Sequence, residues 1–285
     1  MNCAEAAIRF DCANETLFGI LARPEQAADV GIVIIVGGPQ TRVGSHRQFV
    51  LLSRVLAAAG YPTLRFDVRG MGDSTGGKRD FEAVTPDIRA AIDALQTACP
   101  GATRIVLWGL CDAAAAALLY CEETRDPRIA GLCLLNPWVR SPASLAKTQV
   151  KHYYAQRLLQ AEFWRKLLSG RLNLIQSLAE LLRKLGQARA QTEQPLGFQD
   201  RMARGWRDFP GRVLLILSGN DYTAKEFLEY TASAQSWRGL LDRPDLTRVD
   251  VAQADHTFSC AEWRDGVSSA CLKWLATTSE QRPPA

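Results

Sequence analysis

Residues 104–120, RIVLWGLCDAAAAALLY, constrain this chain more than any other stretch. Ile105 to Trp108 is a short apolar run of the kind that forms a buried strand. Gly109-Leu110-Cys111-Asp112-Ala113 follows, and then an alanine- and leucine-rich segment of high helix propensity. A strand that turns sharply into a helix holds its corner residue in a strained conformation, where bulky neighbours collide with adjacent backbone. Gly109 and Ala113 are small at two positions either side, and Cys111 stands at the apex as a candidate nucleophile. The pattern G-x-C-x-A is short and recurs by chance. The flanking strand and helix therefore matter, and the rest of the chain must supply partners.

Strands and helices alternate around this corner. Residues 5–12 and 15–22 predict a hairpin about the turn Ala13-Asn14. Residues 29–36 end in VGIVIIV, a β-branched run suited to a strand buried on both faces, and lead into the loop Gly37-Gly38-Pro39-Gln40. A helix is expected over 48–59, closed by Gly60, then a strand over 63–66 that opens into DVRGMGDS at 67–74. Thr85-Pro86-Asp87 starts a helix reaching residue 99, and 129–135 is the strand after the corner. Residues 141–207 offer no credible strand and read as several helices. Alternation then resumes with strands over 212–217 and 247–251 and helices over 225–237 and 263–277. The expectation is an α/β fold with a mostly parallel sheet, its core formed by 1–139 and 208–278. A helical cap would be inserted at 140–207, and 279–285 would be a flexible tail.

Charge separates the insertion from the core. Residues 140–207 carry thirteen Lys or Arg against four acids, a balance of +9; the whole chain is +4, which leaves −5 elsewhere. A basic cap over an acidic body suits an anionic ligand, an acidic partner protein or a membrane surface, and equally a solvated helical face. No nucleic-acid-binding motif accompanies it, so nucleic acid is not expected. The eight cysteines show no C-x-x-C spacing, which argues against zinc, and most read as small buried hydrophobes. Met1-Asn2-Cys3-Ala4-Glu5 lacks the basic and apolar regions of a secretory signal, so a cytoplasmic location is expected.

The order of these motifs resembles the α/β-hydrolase superfamily over nearly the whole chain: glycine loop 37–40, DVRGMGDS, the nucleophile corner, an inserted helical cap, an aspartate after the next strand and a late histidine. More narrowly, VGGPQTRVGSHRQF at 36–49 and WGLCDAA at 108–114 look like the first of the hydrolases associated with exosortase A systems, bacterial proteins tied to exopolysaccharide and surface-protein export clusters. The resemblance implies a catalytic triad in the order nucleophile, acid, histidine. Of the three histidines, His256 follows the last expected strand, where that fold carries its general base; His46 lies by the glycine loop and His152 in the cap. Asp221, after the strand 212–217, stands where the superfamily carries the acid, with Asp250 and Asp255 as competitors. Asp67, Arg69 and Ser74 read as a structural turn.

Cysteine at the corner defines the chemistry further. Helix N-terminus and adjacent imidazole both favour a thiolate, which would take an acyl group as a thioester. The dienelactone hydrolases and polyhydroxyalkanoate synthases are similar in placing cysteine here. An oxyanion hole needs two preorganised donors, expected to be the backbone N–H of Asp112 and that of Gly38; Pro39 has none to give. The Asp112 side chain would favour the helix macrodipole, repel anionic groups or assist proton transfer. The expected reaction is hydrolysis of an ester or thioester with no metal or organic cofactor. The basic cap would dock a coenzyme A tail or an acyl carrier protein. Acyl transfer to an alcohol or amine, and a non-catalytic binding protein on the same fold, remain open alternatives.

Overall fold

The computed structural model describes residues 3–140 and 197–279. The chain divides into two compact units, one formed by Met1–Val139 with Phe198–Ala285 and the other by Arg140–Gly197. All but the ends of the second unit lie outside the described residues, and so does most of the cap expected over 140–207.

The first unit is built on an eight-stranded sheet. Its strands in chain order are Cys3–Cys12 (β1), Glu15–Pro24 (β2), Val30–Ile35 (β3), Thr63–Phe66 (β4), Arg104–Leu110 (β5), Ile129–Leu135 (β6), Arg212–Ser218 (β7) and Leu246–Val251 (β8). Their spatial order is β1-β2-β4-β3-β5-β6-β7-β8. The hairpin β1–β2 is antiparallel and joins β4 antiparallel, and every pairing from β4 through β3 to β8 is parallel. The fold is therefore that of an α/β hydrolase, with β5 near the centre of the parallel portion.

The period of two in the strands explains the layers. In β3 and β5, Val33, Ile35, Ile105 and Leu107 face one core, which they share with Ile88 and Leu95 of Thr85–Ala98 (α2) and the alanine-rich face of Asp112–Thr124 (α3). Ile32, Ile34, Val106 and Trp108 face the other core, against Phe49 and Leu52 of Gln48–Ala58 (α1) and Cys271 and Trp274 of Ala261–Ser279 (α6). Every residue of β3 is buried, as a strand covered on both faces requires.

Phe198–Asp208 (α4) belongs to this first unit, although its residues fell in the expected cap. Met202, Ala203 and Trp206 on its apolar face are buried in the core beside α3, and Trp206 packs on Trp237 with ring centroids 5.6 Å apart. Arg201 and Arg204 on its outer face pair with Glu122 of α3 at 3.1 and 2.7 Å. Two of the thirteen positive charges counted for the cap are thus neutralised on the core.

Candidate active site

In a parallel sheet all C-terminal strand ends lie along one edge, so residues that follow β5, β7 and β8 are brought together there. Cys111 lies between β5 and α3 with φ 63° and ψ −123°, a conformation that costs an L-residue about 1–3 kcal/mol and is held by its surroundings. Its N–H donates to the Leu135 carbonyl at 2.9 Å, and its own carbonyl accepts from the Trp138 N–H at 3.2 Å. Gly109 makes the corner possible, since a Cβ there would lie 2.5 Å from the Ala113 carbonyl oxygen. Ala113 is buried and suffices where the common pattern has glycine.

Asp221 follows β7 and caps the helix Tyr222–Ser233 (α5), accepting from the Thr223 and Ala224 N–H groups at 3.1 and 3.2 Å. That cap explains why α5 begins three residues before the expected 225. The same carboxylate meets His256, whose Nδ1 is 2.9 Å from Asp221 Oδ2. On its other side the Cys111 side chain lies close enough to the ring to raise its pKa. The His256–Asp221 pair thus stands beside Cys111. The competing acids are engaged elsewhere: Asp255 accepts from the Thr257 and Ser259 N–H groups, and Asp250 pairs with Arg248 at 2.8 Å. His152 lies outside the described residues.

The electrostatics of the pair are mutually consistent. The hydrogen bond to Asp221 and the neighbouring Cys111 push the His256 pKa up to about 10 against the opposing effect of burial. Burial alone would raise Asp221, but the His256 hydrogen bond and charge and the two capping N–H groups hold it below the usual carboxylate value. Linkage sets the sign of the consequence. A raised histidine pKa stabilises the fold fully below its unfolded value of 6.5, and the contribution fades as pH rises toward about 10. Asp221 acts oppositely, contributing above its unfolded value of about 3.9 and losing that contribution on acidification. His256→Ala is accordingly expected to lower Tm most between about pH 5 and 6.5, with the gap to the wild type narrowing toward pH 10. Thermal melts across that range read it directly, and a gap that widened with pH would contradict the pairing.

Sequence reasoning missed the groups that seat the histidine loop. Asn136, just past β6, is fully buried at 0% exposure and donates to the Ser218 hydroxyl at 2.9 Å and to the His256 carbonyl at 3.3 Å. Its side-chain oxygen accepts from the Ser218 N–H at 2.9 Å, and the Ser218 hydroxyl donates to the Asp255 carbonyl at 2.9 Å. An Asn-Pro after a strand reads as a turn, and nothing local marks it as a clamp between two strand ends and the His256 loop.

The expected oxyanion donors hold an unexpected tenant. Gly38 donates its N–H to Asp112 Oδ2 at 2.8 Å. The N–H groups of Gly38, Ala113 and Asp112 itself all favour the ionised carboxylate, yet burial outweighs them and raises its pKa. Asp112 Oδ1 is buried with no hydrogen-bond partner, and a Cβ at Gly37 would collide with it. An acid in a first helical turn gains about 0.3–1 kcal/mol from the macrodipole. A buried oxygen without a partner costs about 1–3 kcal/mol, so helix stability alone does not account for this placement.

The DVRGMGDS segment is a built turn. Buried Asp67 accepts from the Arg42 N–H at 2.6 Å and pairs with its guanidinium, and Ser74 donates to the Asp67 carbonyl at 2.7 Å. Among the described residues, no group of three or more His, Cys, Asp or Glu side chains could hold a metal ion. No described helix is long and apolar enough to cross a membrane.

Comparison with known proteins gives the fold a family. No significant match is found among curated protein sequences. Among solved structures, a Pyrococcus furiosus esterase aligns over 96% of this chain and 91% of its own at a TM-score of 0.64 and 16% identity. An alpha/beta hydrolase from Penicillium aligns over 97% and 98% at 0.62 and 15% identity. A Xanthomonas campestris serine hydrolase without a lid aligns over 98% and 97% at 0.54 and 16% identity. At such identities these likenesses speak for the fold alone. The family model described as alpha/beta hydrolase matches residues 32–267, which takes in the strands β3 to β8 and the three side chains at their edge. The chain belongs to the alpha/beta hydrolase family.

Proposed function

We propose that this hydrolase cleaves esters or thioesters through an S-acyl intermediate on Cys111. The observation that carries the reading is the His256 ring held by Asp221 through Nδ1 at 2.9 Å, with the corner cysteine beside it raising its pKa. With Nδ1 engaged by Asp221, Nε2 is left to exchange a proton with sulfur. The thiolate attacks the acyl carbonyl while the imidazolium keeps the proton. As the tetrahedral intermediate collapses, the carbon–leaving-group bond breaks and Nε2 gives that proton to the departing alkoxide or thiolate. The neutral imidazole then takes a proton from water, hydroxide adds to the thioester, and Cys111 leaves as the thiolate. Asp221 fixes the tautomer and stabilises the imidazolium in both halves.

Thioesters fit this nucleophile well, because leaving group and attacking sulfur are matched in basicity. The sequence resemblance to exosortase A-associated hydrolases suggests an acyl group in exopolysaccharide or surface-protein metabolism, presented on coenzyme A or a carrier protein. The ten Lys or Arg and three acids of residues 140–197 give that segment a balance of +7 with which to hold such an acidic carrier. Stopped-flow hydrolysis of a p-nitrophenyl acyl ester is expected to show a burst of about one product per chain, followed by slower steady turnover. Turnover without a burst, unchanged in His256→Ala, would remove the reading. Added alcohols or amines that speed the second phase would redirect it to acyl transfer.

A further inference from the structure

The acyl chemistry above leaves the Asp112 carboxylate without a use, and the structure puts it where that chemistry needs free donors. Its Oδ2 takes the Gly38 N–H, and its other oxygen is buried and unpartnered beside Gly37. Gly38 and Asp112 are the two backbone donors that an acyl oxygen would require, and the first of them is taken by this carboxylate. A carboxylate oxygen resembles a tetrahedral oxyanion in charge and reach, so it competes for the same seat.

Beside it there is room to go. A cavity of about 210 Å³ is lined by Gly37, Gly38, Met71, Lys78, Arg79 and Asp112, among others. Among the described residues, neither the Lys78 nor the Arg79 side chain has a hydrogen-bond or ion-pair partner. Lys78 and Arg79 are exposed residues on the wall of this cavity, while the charge of Asp80 on the same wall opposes that of the carboxylate.

We propose that Asp112 is a gate on the oxyanion site: its carboxylate occupies the seat of the acyl oxygen between turnovers and must turn aside into the neighbouring cavity before Cys111 is acylated. The gate rests on the acyl-enzyme reading and limits the first half of it. Emptying the seat frees donors that already exist, so it raises the rate of acylation. Asp112 is thus a positioning residue that acts through the Gly38 N–H.

The test compares two reactions of the same sulfur. Acylation by a p-nitrophenyl ester needs the oxyanion donors, whereas alkylation by iodoacetamide, a displacement at saturated carbon, does not. One oxyanion donor is worth about 10²–10³ in rate, so Asp112→Ala is expected to raise the acylation rate constant about tenfold or more while alkylation changes by less than about threefold. Asp112→Asn keeps the shape without the charge and serves if the alanine variant folds poorly; its acylation should also rise, by about threefold. Acylation by a variant of an otherwise silent wild type would support the gate equally. Acylation that is unchanged or slower in folded variants, with an active wild type, overturns the gate and leaves the triad intact. No acylation in wild type or variants, with Cys111 still alkylated, overturns the acyl-enzyme reading and the gate with it.

Discussion

Replacing Cys111 with alanine is expected to lower ester turnover by about four orders of magnitude or more, to the level of the residual catalysis that binding and oxyanion donors supply. The corner itself should survive. Alanine meets the same φ of 63° as cysteine, Gly109 and Ala113 still clear the turn, and the backbone bonds to Leu135 and Trp138 do not involve the sulfur. Steady-state kinetics with a melt as control read the result. Loss of activity at nearly unchanged Tm assigns the sulfur to chemistry. His256→Ala should fall almost as far, because members of a triad act as a unit and their losses do not add. Retention of more than about a tenth of the wild-type turnover in Cys111→Ala would place the reacting group elsewhere.

The largest loss of stability is expected from Arg69→Ala. Arg69 and Asp87 form a buried pair, with side chains 8% and 0% exposed and Nη2 2.7 Å from Oδ2. The Arg69 Nε and backbone N–H also donate to this carboxylate, the latter at 2.8 Å. Truncating the arginine leaves Asp87 charged or protonated in a site built for an ion pair, at a cost of about 3–5 kcal/mol. Urea unfolding measures this. Removing both charges together, as Arg69→Met with Asp87→Leu, should cost far less, since apolar replacements of similar volume often match a buried pair. A single-variant loss below about 1 kcal/mol would mean the pair is solvated, as exposed pairs are.

How far the sequence spoke for the structure depended on how local each cause was. β3 was legible because VGIVII is β-branched at every position but Gly31, a composition suited to a strand covered on both faces. The corner at Cys111 was legible because Gly109 and Ala113 satisfy a steric demand within five residues. Asp221 and His256 were singled out by their places after strands where the superfamily that the chain resembles carries acid and base, and a parallel sheet turns that order into the observed 2.9 Å contact. The failures have a common physical origin in contacts between distant segments. Gly38 and Asp112 are 74 residues apart, so nothing in either segment announced that the carboxylate would take the loop N–H. Asn136 is 82 residues from Ser218 and 120 from His256, and it resembled an ordinary turn. The helix Phe198–Asp208 was grouped with the cap because residues 141–207 carry no strand signal, but Met202 and Trp206 bury its apolar face in the core while Arg201 and Arg204 answer Glu122. Charge counted along a chain does not reveal which partner neutralises it.

The central claim is that Cys111 carries the acyl group. Quenching the protein in acid within the burst phase, weighing it intact and mapping its peptides tests this most directly. A single acyl increment is expected on the peptide bearing Cys111, released by hydroxylamine as a thioester and absent in Cys111→Ala. An increment on another residue, or none while ester is being consumed, would contradict it.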